Sequence, residues 1–194
     1  MKEGRNGITE NTPKKILLGA GTIHRGLKFN ESQWNFEASL IGSTKGGNKL
    51  EIKPETIDVG IDGQNVATKG LSAIKVGEEA TLEVNHAEVD SKLLAKATMG
   101  RITNSTIDGY DLIESKSDIE NSDYDDNIAF VGRTLEGKHI IIILDNAICT
   151  EGLELDNKNK DTTAIKLKYT CTADPANTPE LDKLPWRIYY PKIS

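Results

Sequence analysis

The feature that most constrains this 194-residue chain is the alternation of apolar and polar residues over many short stretches. A period of two gives a segment one apolar and one polar face, which is the pattern of a half-buried β-strand. Residues 165–171 show it most clearly, because every second residue from Ile165 to Cys171 is aliphatic, aromatic or cysteine. Alternation or a continuous apolar run predicts further strands over residues 16–23, 34–42, 50–54, 57–61, 71–76, 80–86, 110–113, 128–134, 139–144, 147–149 and 186–190.

One segment has the composition of a helix. Asp90 is a favourable N-cap, residues 91–99 are mostly helix formers, and Gly100 suits the position after a helix. The four consecutive isoleucines within residues 139–144 are typical of a strand buried on both faces. With turns at residues 44–48 and 62–63, the chain is predicted to be mainly β. We expect a two-sheet β-sandwich or barrel with one flanking α-helix at about residues 90–99 and long loops.

The distribution of polar residues predicts the domain organisation. Residues 1–12 are polar and carry two glycines, so we expect a flexible N-terminal arm, and residues 13–194 suit a single domain. Residues 104–127 are rich in Ser, Asn and Asp and predict a long acidic loop. Residues 101–161 hold 14 acidic and 6 basic residues. This excess predicts either one negative face of an assembly or simply a larger share of polar loops.

Motifs for catalysis and cofactor binding are not found in the sequence. The three histidines are isolated from one another, and Cys149 and Cys171 show no metal-binding spacing, so both cysteines are expected to be buried. His86 falls on the inward side of its predicted strand and is expected to be a core or interface histidine. We predict no catalytic residue, cofactor or metal and no enzymatic activity. The acidic residues 118–126 could ligate Ca²⁺ but lack EF-hand spacing, and a solvated loop is favoured.

Charge and hydropathy exclude further classes. The net charge of −6 argues against a protein that grips phosphates, which usually carries a basic excess. No stretch approaches the roughly 20 apolar residues of a membrane helix, so no membrane span is predicted. The first residues include no apolar run, so we expect no secretory signal and a protein made in a reducing cytoplasm.

Four segments, in order, resemble the major tail protein (tail tube protein) family of long-tailed bacteriophages of Gram-positive hosts. The similarity extends from about residue 15 to residue 191 and is poorest over residues 101–127. The segments that show it are residues 17–23, the 40–49 turn with Pro54-Glu55 and Asp62-Gly63, residues 69–84 with the following helix, and residues 184–191.

This resemblance implies a structural virion protein that forms hexameric rings, which stack into a hollow tail tube. The tube would pass double-stranded DNA at infection without specific binding, and it would be assembled in the host cytoplasm and located in the virion tail. Further implied partners are the tail tip or initiator, tape measure and terminator proteins. The family supplies no catalytic residues or cofactors to transfer to this sequence.

Two hypotheses connect this family to particular residues. Acidic side chains in the lumen would repel DNA phosphates, and Asp123, Asp125 and Asp126 are the candidate lumen-facing acids. Residues 1–12 and 104–127 are candidate contacts between subunits or rings.

Other functions remain open at this point. The inner tube of a contractile tail or of a phage-derived bacteriocin particle shares the expected fold. A surface- or carbohydrate-binding β-sandwich module is a different class, although aromatic residues make up only 5% of the chain. A hydrolase on a β-scaffold, with a metal ion, is a third class.

Overall fold

The computed structural model describes residues 7–155, 164–176 and 183–192. Its helices are α1 (Thr12–Lys15), α2 (Phe36–Ser39) and α3 (Ser91–Thr98), with a 3₁₀ turn at Asn121–Asp123. The strands are β1 (Leu17–Arg25), β2 (Phe29–Asn30), β3 (Gln33–Trp34), β4 (Leu40–Gly42), β5 (Thr44–Ile57), β6 (Ile74–His86), β7 (Arg101–Asn104), β8 (Asp111–Glu114), β9 (Asp125–Thr134), β10 (His139–Cys149), β11 (Glu154–Leu155), β12 (Ile165–Cys171) and β13 (Trp186–Tyr189).

Most strands belong to one nine-stranded antiparallel sheet. Its main order is β4-β1-β9-β10-β12-β6-β5, with β11 paired to β12 and β13 paired to β10. Strands β4 and β5 are at opposite ends of this order, yet Ser43 alone separates them along the chain. The sheet therefore curls, so that its two edge strands approach each other at Ser43. Ser43 O also accepts a hydrogen bond from Ala87 N, just after β6, over 2.9 Å.

Apolar residues are buried on both faces of β9 and β10. Ile128 and Leu144 belong to the larger cluster on the concave side, which also takes in Leu93 of α3. The intervening residues Ala129 and Ile143 belong to a second cluster, which Trp34 and Phe36 cover from outside. The prediction that the isoleucine run is buried on both faces is therefore confirmed.

Helix α3 begins and ends through local hydrogen bonds. Asp90 Oδ1 accepts a bond from Leu93 N over 2.6 Å, as predicted for the N-cap. The left-handed residue after the helix is Met99, with φ 48°, and not the expected Gly100. Gly100 N instead donates to Ala95 O over 2.8 Å, completing a Schellman motif. A Cβ on Gly100 would lie 2.8 Å from Glu114 O, so packing against β8 also requires glycine there.

The glycine-rich part of β1 bends around an aromatic ring. Pairing between β1 and β9 shifts register between Leu18 and Thr22. A Cβ on Gly21 would overlap the Phe130 ring and lie 2.9 Å from the Val131 carbonyl oxygen. This close approach of the β1 backbone to β9 requires glycine at position 21.

Mainly β structure is confirmed, but several local predictions are wrong. One large sheet holds nine strands, and β2–β3 and β7–β8 form separate two-stranded sheets, so the packing of two sheets into a sandwich is not confirmed. Residues 34–42 are not one strand, because α2 interrupts them, and α1 and α2 add two short helices to the one expected. The turn at 44–48 is a bulge inside β5, with both glycines at positive φ. Strand β5 ends at Ile57, so residues 58–61 do not continue it.

The predicted arm is described only in part, and the predicted acidic loop contains regular structure. Residues 1–6 of the arm lie outside the described residues, while residues 7–11 are exposed and lead into α1. Residues 104–127 are not one long loop, because β7 and β8 form a hairpin and β9 begins at Asp125. The strand expected at 110–113 is confirmed as β8.

Candidate assembly surface

The paired strands β5 and β6 continue beyond the rest of the sheet. Strand β12 pairs with β6 over residues 81–86 only, whereas the β5–β6 pairing continues to Ile57 opposite Ile74. We call residues 53–76 the distal hairpin. Within it, every residue is exposed except the partly buried Gln64, Leu71 and Ser72. The distal hairpin therefore gains little stability from the core of its own chain.

Aliphatic side chains are concentrated on the distal hairpin. The most exposed are Val66 and Ile61, with 75% and 55% of their surface open to solvent. Clustered exposed apolar residues mark interaction sites more often than isolated ones do. The six large aliphatic residues exposed in this hairpin are Ile57, Val59, Ile61, Val66, Ile74 and Val76.

Hydrogen bonds within the distal hairpin define the shape of its loop. Ser72 Oγ accepts bonds from Gln64 Nε2 over 2.7 Å and from Thr68 N over 3.0 Å. Val59 N donates to Leu71 O over 3.1 Å. The loop between β5 and β6 is thus folded locally, which lowers the entropy lost when it binds a partner.

The root of the distal hairpin is fixed to the body. Glu78 accepts a bond from Leu184 N over 2.6 Å and pairs with Lys75 Nζ at 2.7 Å. The bond from Lys75 is the main cause that holds the pKa of Glu78 below its usual value, and the Leu184 N–H adds to it. Among the described residues, the root is therefore anchored to the body while the side chains of the tip remain exposed.

The outer edge of β5 carries features that discourage strand addition. Pro54, opposite Glu78, has no N–H to donate, and the bulge at Gly46 and Gly47 interrupts regular pairing. Charged residues Lys49, Glu51 and Lys53 lie along the strand and pair with one another at 3.1 and 3.0 Å. Natural edge strands use these features to avoid uncontrolled pairing.

A second hairpin, β7–β8, lies next to α3 and also exposes apolar residues. Strand β8 lies within residues 104–127, the predicted acidic loop with subunit contacts, whereas β7 was not predicted from the sequence. Its exposed large residues are Ile102, Ile107, Tyr110 and Leu112. This hairpin is therefore a second candidate contact surface among the described residues.

The three candidate lumenal acids differ in their surroundings. Asp125 is 6% exposed and lies 3.2 Å from Arg25 Nε and 3.1 Å from Lys96 Nζ. Asp126 is 76% exposed and pairs with Lys28 at 3.3 Å. Of these two, only Asp126 presents its charge to solvent.

Asp123 is also buried and paired. Its carboxylate lies 2.7 Å from Lys116 Nζ and accepts a bond from Glu120 N over 2.7 Å. Burial alone raises the pKa of Asp123, but the bonds from Lys116 and from Glu120 N outweigh it and bring the pKa below its usual value. Asp123 and Asp125 thus fix the start of β9 and the turn before it. Sequence reasoning did not foresee this for Asp125, because its partners Arg25 and Lys96 are distant along the chain.

His86 is a core residue, as predicted. It is fully buried, and its Nε2 lies 3.4 Å from the Tyr169 hydroxyl. Burial, together with the positive charge of Arg25, lowers the pKa of His86 to about 4. Cys149 and Cys171 are buried and free, as expected, and burial raises the pKa of Cys171 to about 12.

Residues 7–155, 164–176 and 183–192 contain no group of three side chains placed to hold a metal ion. In the same residues, no helix is both long and apolar enough to cross a membrane. The sequence matches no model of a known protein family and no curated protein.

Proposed function

We propose that this chain is a structural protein that assembles with copies of itself into stacked rings. The assembly is a hollow phage tail tube through which DNA passes at infection. Its further partners are the tail tip or initiator, the tape measure protein and the terminator. Within this proposal the chain performs no chemical reaction.

The observation that carries the proposal is the distal hairpin. It holds six exposed large aliphatic side chains and is folded by its own hydrogen bonds on an anchored root. Leaving such side chains in water forgoes roughly 25 cal/mol for each Å² of apolar surface, and a neighbouring subunit can cover them. Because the outer edge of β5 disfavours the addition of another strand, association is directed to the exposed aliphatic side chains and away from open-ended strand pairing.

The charge of the chain is compatible with a conduit for DNA. A net charge of −6 repels phosphates, and Asp126 presents an open carboxylate. Of the three candidate acids, we propose a lumenal role for Asp126 alone. The charges of Asp123 and Asp125 are neutralised by ion pairs inside the chain.

Negative-stain electron microscopy of the purified chain, fresh and after concentration, tests the proposal. We expect rings or hollow tubes of uniform width. The double substitution Ile61→Asn and Val66→Asn should prevent them without unfolding the monomer, because both side chains are exposed. Leu135→Asn is the matched control, since Leu135 is an exposed aliphatic residue in the β9–β10 turn.

Two outcomes would contradict the proposal. Monomers that persist at high concentration and also in the presence of tail-tip complexes would exclude a tube protein. Tubes that form equally well from the double variant would show that the distal hairpin is not the assembly surface. A sheath gene beside this one would assign the tube to a contractile tail.

One observation favours a second candidate, a carbohydrate-binding module. Phe29, Trp34 and Tyr189 form an aromatic group at the surface, with ring centroids 5.2 and 5.1 Å apart. The rings meet edge to face, whereas sugars stack on flat ring faces, so the group is better suited to packing. Binding on a glycan array that Tyr189→Ala abolishes would revive this candidate.

A further inference from the structure

A cavity of about 410 Å³ lies between α3, the start of β7 and residues 116–123. In a chain with a net charge of −6, its lining is unusually basic. Only Glu120 and Asp123 oppose the cations there. The five basic residues that line it are Arg25, Lys92, Lys96, Arg101 and Lys116.

Three of these cations are already neutralised within the chain. Arg25 and Lys96 share the carboxylate of Asp125. Lys116 lies 2.7 Å from Asp123 and is itself almost inaccessible to solvent. The charges of these three residues are thus already paired inside the chain.

The other two cations are open. Lys92 is exposed and has no ion-pair or hydrogen-bond partner among the described residues. Arg101 is 63% exposed, and its nearest acid, Glu114, is 3.9 Å away. Ile102 and Ala95 contribute apolar surface to the same cavity. The site therefore suits a carboxylate-bearing segment that also carries aliphatic side chains.

The tip of the distal hairpin has this composition. Asp58 and Asp62 are exposed there and have no partner among the described residues. They lie on either side of the exposed aliphatic residues Val59 and Ile61. A turn at Asp62-Gly63 presents the segment at the end of the hairpin.

We propose that residues 58–63 of one copy dock into the basic cavity of a neighbouring copy, where Asp58 and Asp62 meet Lys92 and Arg101. This inference rests on the proposed self-assembly and names its contact. Because the tip and the cavity are different surfaces, the contact is head-to-tail, the type that closes into rings or extends into filaments. The cavity volume is within the range of about 300–1,000 Å³ that binding sites usually have.

Charge reversal on each side tests the contact by sedimentation velocity and light scattering, which give the concentration at which assembly begins. Asp58→Lys with Asp62→Lys, and separately Lys92→Glu with Arg101→Glu, should each raise this concentration by about tenfold or more. Mixing the two double variants should restore assembly, because each tip then meets a cavity of opposite charge. Added salt should weaken wild-type assembly.

A matched control carries the same types of charge change elsewhere. Lys15→Glu with Glu136→Lys alters exposed residues outside both surfaces and should leave the assembly concentration unchanged. Thermal unfolding of every variant checks that each remains folded. Variants that unfold would be replaced by the neutral pairs Asp58→Asn with Asp62→Asn and Lys92→Gln with Arg101→Gln, whose expected effect is smaller but of the same sign.

The outcomes separate this inference from the proposed function. If the wild type assembles and the mixture of double variants does not recover, the docking contact is wrong while self-assembly stands. If the reversed variants assemble as well as wild type, the docking contact is also wrong. Wild type that forms no oligomer under any condition overturns both.

Discussion

Replacing Asp125 by Asn tests an ion-pair group whose shared acidic side chain is buried. The substitution keeps the size of the side chain and removes its charge. Arg25 and Lys96, at 3.2 and 3.1 Å, then lose their shared counter-charge. Because the Asp125 side chain is 6% exposed, water cannot take its place easily.

The expected loss of stability follows from this burial. Removing one member of a buried ion pair costs about 3–5 kcal/mol, because the remaining charge is left uncompensated. Arg25 and Lys96 are 29% and 23% exposed, so solvent recovers part of this cost. We therefore expect a decrease of about 2–3 kcal/mol in the free energy of unfolding, or roughly 4–12 °C in Tm for a chain of this size.

Urea unfolding at pH 7, followed by tryptophan fluorescence and circular dichroism, measures the change. Asp126→Asn is the matched control, because its ion pair with Lys28 is exposed on both sides and contributes little. The m-value should stay constant, since the same surface is exposed on unfolding. A loss in Asp125→Asn that equals the loss in Asp126→Asn would refute the reasoning.

Three further predictions follow from local features. Met99→Gly should stabilise the chain by about 0.5–1 kcal/mol in urea unfolding, because glycine adopts the left-handed conformation after α3 without strain, whereas Met99→Ala should not. His86 should make the free energy of unfolding depend on pH. Its pKa is about 4 in the folded chain and 6.5 in the unfolded chain, so protonation of His86 favours the unfolded chain. About 3 kcal/mol of stability is therefore present above pH 6.5 and is lost as the pH falls to about 4. His86→Asn should remove that part of the slope between pH 7 and 4.5. Asp126→Lys should slow DNA ejection from assembled particles while leaving the tubes intact, and an unchanged ejection rate would exclude a lumenal role for Asp126.

Strands whose pattern arises from the core were predictable from the sequence. Residues 165–171 alternate because β12 has one face towards the core, and the isoleucine run of β10 is apolar because both of its faces are covered. Such periodicity reports burial directly.

Residues 34–42 show where the same reasoning fails. Apolar and polar residues do alternate there. However, Trp34 is in β3 and Phe36 is the first residue of α2, and both side chains pack on the second cluster. Four residues of helix are too few to display a helical period. The choice between strand and helix there depends on contacts with β9 and β10, which sequence periodicity does not contain.

The candidate surface was predictable only in part. The alternation at residues 57–61 predicts a half-buried strand, but its apolar side chains are exposed. The pattern alone does not show whether such side chains pack in the core of the chain or against a partner. Asp123 and Asp125 were expected to be exposed because their neighbours in sequence are polar. Their burial depends on Arg25, Lys96 and Lys116, and the first of these is about 100 residues away.

The pairing of β1 with β9 has a consequence for synthesis of the chain. Strand β9 is made about 100 residues after β1, which at about 5–20 residues per second leaves β1 without its partner for roughly 5–20 s. The aliphatic distal hairpin is also made early, while β13, which completes the sheet, is made near the end. Nascent chains on one polysome therefore expose the aliphatic distal hairpin before the large sheet is complete, which favours premature contacts between copies.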